Sequence, residues 1–104
     1  MKVAIVEDEE QHREILKKYL ARYAKEHGLL INPVVFKNAL DLISDYTADY
    51  DIIFMDIMMS FMDGLEATKI IRKLDKTVAL VFVTNMAKFA IKGYEVDAAG
   101  FLLK

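Results

Sequence analysis

Apolar positions along this chain follow two alternating rhythms. Short unbroken runs of strand length lie at 3–6 (VAIV), 32–36 (NPVVF), 52–55 (IIFM), 79–83 (ALVFV) and 100–103 (GFLL). Between them the spacing turns helical. Over 11–27, Ile15, Leu16, Tyr19, Leu20, Tyr23 and Ala24 recur in pairs every four residues and form one stripe, which Gly28 closes. Asn38 is placed to cap a short helix carrying Ala39, Leu40, Leu42 and Ile43. A loop at 60–64 leads into a helix over 65–74, with Leu65, Ile70, Ile71 and Leu74 expected inward, and 87–95 is read as one more helix. Pro33 suits a strand start or a sheet edge. The runs at 52–55 and 79–83 carry no polar alternation, which predicts strands covered on both faces.

Strand and helix therefore alternate four times before a last bare strand. That order predicts a doubly wound α/β fold, a five-stranded parallel sheet with helices on both faces, forming one domain over 1–104. Composition agrees and adds one puzzle. The apolar share is 55%. Setting tyrosine aside and counting glycine instead still leaves it above the roughly 45–50% of ordinary domains. Doubly buried strands account for such an excess, and so does a surface that expects a partner.

Other totals narrow the chemistry. With no cysteine, disulfide scaffolds, cysteine-ligated zinc and thiol catalysis are excluded. A net charge of -2 and a pI near 5.6 argue against a nucleic-acid-binding face. No apolar run reaches the roughly 18 residues of a membrane span, and the start MKVAIVEDEE lacks the apolar core of a signal peptide, so a cytoplasmic location is expected.

In open parallel sheets the functional site lies at the carboxyl ends of the strands. Those ends carry Glu7 and Asp8, then Asp56, then Thr84 and Asn85, then Lys104. Three carboxylates gathered at one edge repel unless a cation joins them. A hard divalent ion such as Mg²⁺, held by one or two carboxylates with water and phosphate oxygens, answers that demand. Thr84 offers a hydroxyl donor and Lys104 a positive point charge. Asp56, at the centre, could act as a carboxylate nucleophile toward a phosphoryl group.

Four stretches now fall into place together: IVEDE at the first strand, DIIFMDIMMSFMDG around Asp56, VFVTN at the fourth strand and AAGFLLK at the fifth. In this order and spacing they resemble the receiver domain of bacterial two-component response regulators, across nearly the whole chain. The resemblance implies a flavodoxin-like sheet of order 2-1-3-4-5. It implies phosphorylation of Asp56 by a sensor histidine kinase, and Mg²⁺ held by Asp8 and Asp56, by Glu7 through water, and by the backbone carbonyl of Met58. Thr84 and Lys104 match the switch hydroxyl and the phosphate-contacting lysine, and Phe101 the switch aromatic. The stretch KGYEVDAAGFLLK further resembles receivers joined to LytTR-type DNA-binding domains, so DNA would be met only through an output domain outside this chain. The first helix is the face where such receivers meet their kinase.

The sequence also departs from the family. The acidic pair is Glu-Asp rather than Asp-Asp, and Ser60 stands where a proline is usual. The given sequence stops at Lys104, before the proline and fifth helix usual in the family, so the expectation is either a truncated chain or a bare sheet face that a second copy covers. Glu7 and Asp8 can also be read as caps of the first helix. His12 and His27, read on or beside a polar helix face without metal-ligand spacing, are assigned no role. Two rivals stand beside the receiver. One is a phosphorylation-independent pseudo-receiver acting as an interaction module. The other is a phosphatase or hydrolase with an aspartate nucleophile, a class that usually has a second acid two residues on, where this chain has Met58.

Overall fold

A computed structural model of the chain describes residues 1–56, 64–84 and 100–103. Its elements run β1 (Lys2–Val6), α1 (Glu10–His27), β2 (Asn32–Phe36), α2 (Ala39–Ser44), β3 (Ile52–Met55), α3 (Gly64–Leu74), β4 (Ala79–Thr84) and β5 (Gly100–Leu103). All four strand pairings are parallel, in the order β2-β1-β3-β4-β5. Pro33 sits on the edge strand β2, opposite Val3, where a missing N–H costs least. The helix expected over 87–95 lies outside the described residues.

Register explains the core. Ala4, Ile53 and Leu80 form one row across the sheet, and Val6, Met55 and Phe82 the next row on the same face. All six are sealed from solvent. Ala39 and Leu42 of α2 and Ala67 and Ile71 of α3 close over this face. α2 starts where expected: Asn38 Oδ1 accepts the Asp41 N–H at 2.9 Å, which satisfies one orphan donor of the first turn.

The inward face of α3 differs from the one predicted. Gly64, Ala67, Thr68 and Ile71 are buried, whereas Leu74 is 55% exposed and Leu65 and Ile70 are only partly covered. Three of the four buried positions hold small residues. Thr68 tolerates full burial because its hydroxyl donates to the Leu65 carbonyl at 2.9 Å. The helix also begins at Gly64, one residue earlier than the pattern predicts.

The opposite sheet face is less completely covered. Val3 and Ile5 are sealed, but Ile52, Phe54, Val81 and Val83 are half-buried, so β3 and β4 are covered fully on one face only. α1 lies on this side, and none of its residues is buried. Its predicted stripe faces a groove: Ile15 is 51% exposed, Tyr19 65% and Tyr23 52%. Gly28 ends α1 at φ 63°, the left-handed conformation that a side chain resists.

A polar staple ties α3 to β4. The Tyr46 hydroxyl donates to Asp75 Oδ2 at 2.6 Å, and Asp75 Oδ1 accepts from the backbone N–H groups of Thr77 and Val78 and from the Thr77 hydroxyl. Arg72 Nη1 donates to the Val78 carbonyl at 2.7 Å. Burial pushes the Asp75 carboxyl up, but the hydrogen bonds it accepts together hold it below the usual carboxylate range. Burial first, then the bond to Asp75, pushes the Tyr46 phenol far above its ordinary value.

Candidate metal and phosphoacceptor site

Each acid owes its place to a strand end. The Glu7 N–H donates to the Phe36 carbonyl at 3.1 Å, and the Asp56 N–H to the Val6 carbonyl at 3.1 Å. These bonds add one rung beyond β1 and β3, so both residues leave the sheet at the same edge. Glu7 and Asp56 are each 4% exposed, while Asp8 is partly open. One carboxylate oxygen from each of the three lies within 4.8 Å of the others.

That spacing suits a small hard cation. Octahedral Mg²⁺ binds oxygen at about 2.1 Å, so ligands across the ion stand about 4.2 Å apart. All three donors are oxygens, with no sulfur to favour a softer metal. The helix-cap reading of Glu7 and Asp8 does not hold: the N-cap of α1 is Glu9, and it makes no side-chain cap bond.

Of the remaining expected positions, two lie within the described strands. Thr84 ends β4, and its backbone pairs with Leu103 of β5, one residue before Lys104. Phe101 pairs with Phe82 in the same ladder. Met58 and Lys104 lie outside the described residues.

One neighbour goes beyond the sequence expectation. His12 Nδ1 lies 3.2 Å from Glu7 Oε1 and 3.4 Å from Glu9 Oε2. The spacing of His12, Leu16 and Tyr19 carries the apolar stripe of α1 back to the strand ends, and that is the signal available in the sequence. These three residues, with Ile15, Phe54 and Val83, line a groove of about 410 Å³ that runs to Glu7 and Asp56.

The sequence pattern of the family described as the response regulator receiver domain matches residues 3–104. The chain belongs to that family. Sensory transduction protein LytT of Bacillus cereus is 34% identical to this receiver over 104 residues, all of the chain and 41% of the relative. The positive alginate biosynthesis regulatory protein of Pseudomonas aeruginosa is 31% identical over 104 residues, again 41% of its length. The receiver thus spans about two fifths of the curated relatives it matches, and their LytT-type names agree with a LytTR-type regulator. Among solved structures, response regulator TrrA of Thermotoga maritima, in complex with Mg(2+)-BeF, superposes with a TM-score of 0.82 at 25% identity, covering 99% of this receiver and 85% of TrrA. The non-phosphorylated HemR receiver domain of Leptospira biflexa shares the fold, with a TM-score of 0.84 at 24% identity, covering 99% and 81%. Among the described residues no helix is long and apolar enough to cross a membrane.

Proposed function

We propose that this receiver is a Mg²⁺-dependent phosphoacceptor, with Asp56 taking a phosphoryl group from the phosphohistidine of a sensor kinase. The observation that carries this reading is the convergence of Glu7, Asp8 and Asp56 at one sheet edge, with carboxylate oxygens within 4.8 Å.

Asp56 is the acceptor because it ends the middle strand of the sheet, is buried, and has its main chain held by the N–H bond to the Val6 carbonyl. One of its oxygens forms the new O–P bond as the P–N bond breaks, and the electron pair leaves with the imidazole nitrogen. Mg²⁺ held by Asp8, Asp56 and the Met58 carbonyl, with Glu7 acting through water, would neutralise part of the charge between the two anions. Thr84 then donates its hydroxyl to the acyl phosphate, and Lys104 contributes its ammonium. The pairing of Thr84 with Leu103 supports this couple, since Leu103 directly precedes Lys104 in the sequence. Drawing Thr84 and Lys104 inward biases a two-state equilibrium that includes Phe101. A cytoplasmic regulator of LytT type would pass this change to a DNA-binding output domain, and so to transcription. Contact with a second copy belongs to the same proposal, and solution mass with and without beryllofluoride tests it.

The function is tested with acetyl phosphate and Mg²⁺. The parent should gain one phosphoryl group, and Asp56→Asn should gain none while keeping its fold. Labelling of Asp56→Asn would overturn the assignment, and a parent that neither binds Mg²⁺ nor takes phosphate would be a pseudo-receiver.

A further inference from the structure

We propose that His12 is a positioning residue of the acidic site, orienting the Glu7 carboxylate toward the divalent cation. The inference rests on the Mg²⁺ reading above and adds a residue to it.

Glutamate at position 7 carries one more torsion than aspartate would, and ordering that longer side chain costs more conformational entropy. That cost weakens metal binding unless the carboxylate is already held. Here both of its oxygens meet a nitrogen. Oε2 accepts the Asp8 N–H at 3.1 Å, and Oε1 faces His12 Nδ1 at 3.2 Å. The main chain of Glu7 is fastened as well, by its N–H to Phe36 and by Arg13 Nη1 donating to its carbonyl at 2.9 Å.

The imidazole is itself steadied. Glu9 Oε2 lies 3.4 Å from the same nitrogen, and the first turn of α1 fixes where the ring starts. The His12 side chain is 36% exposed against 6% for Glu7, so a helix residue open to solvent reaches a nearly buried carboxylate. Removing the ring therefore opens no core cavity, and its effect should fall on the metal. Groups that orient metal ligands typically change affinity by 10–100-fold when removed.

The test is isothermal titration calorimetry with Mg²⁺ alone, repeated with Mn²⁺ by electron paramagnetic resonance. All measurements are made at about pH 8.5, where model imidazoles carry no charge. His12→Ala should bind Mg²⁺ about tenfold more weakly than the parent. His12→Gln, which restores a polar hydrogen-bonding group, should stay within about threefold of the parent, and both variants should melt as cooperatively as it does. Equal affinity in His12→Ala and parent would overturn the proposal, and so would equal weakness in the Ala and Gln variants. A folded parent that binds neither ion would overturn the Mg²⁺ reading itself, and the proposal with it.

Discussion

The backbone N–H of Asp56 reaches the carbonyl of Val6 at 3.1 Å, so the central carboxylate leaves its strand beside the residue that precedes Glu7. One ladder rung thus ties the acids of two different strands into a single site. The two cannot drift apart without breaking a sheet hydrogen bond. Charge repulsion among Glu7, Asp8 and Asp56 is then a fixed cost of the fold, and a cation relieves it.

Asp8→Asn should separate the two sides of that balance. Without Mg²⁺ it should raise stability, on the order of 1 kcal/mol, because one of three like charges is gone. With millimolar Mg²⁺ the order should reverse, since the parent gains binding free energy that the variant largely loses. Thermal melts with and without Mg²⁺ check this. A variant less stable than the parent under both conditions would refute it.

Tyr46→Phe should cost about 1–2 kcal/mol at neutral pH, the worth of a hydrogen bond to a carboxylate. The pH dependence comes from the two shifts. Asp75 is held below the usual carboxylate range, so its contribution is present at neutral pH and fades as pH falls through its folded value. The Tyr46 phenol is pushed up, so its contribution is complete below the ordinary tyrosine value near 10 and is lost progressively above it. The gap between parent and variant should therefore be widest near neutrality and shrink toward both extremes. Urea unfolding at about pH 3, 7 and 10.5 reads it.

Gly28→Ala should destabilise by about 1 kcal/mol. The cost is one of backbone alone, since a β-carbon at Gly28 meets nothing within 4 Å while φ stands at +63°. A denaturant midpoint unchanged from the parent would contradict it.

Much of this structure is legible in the chain. Apolar runs mark the strands, and Asn38 and Gly28 mark helix ends because capping is local chemistry that neighbours alone decide. Glu7, Asp8 and Asp56 stand out as the polar residues just past the ends of apolar runs, and the structure brings them together. The features that stay hidden depend on depth of packing. Hydrophobicity points to Leu74 in α3, but the positions buried there include Gly64, Ala67 and Thr68, small residues that a hydrophobic pattern does not single out. Likewise, the apolar runs in β3 and β4 do not by themselves tell the two faces apart: Ile53, Met55, Leu80 and Phe82 are sealed, while Ile52, Phe54, Val81 and Val83 are half-buried. His12 is assigned no role from the sequence because Glu7 lies five residues before it, across the turn from β1 into α1, and the stripe of α1 alone does not show that the two meet.

The alternation of rows across the sheet has one last consequence. Ile53 and Met55 face the sealed side, Ile52 and Phe54 the half-buried one, and Asp56 comes next in the same count. Adding or deleting a single residue within β3 would exchange those faces and turn the acceptor away from Glu7. Exchanging one aliphatic residue for another of similar size would do neither. The strand acts as a ruler: the identity of its residues can wander, but their number sets where the chemistry happens.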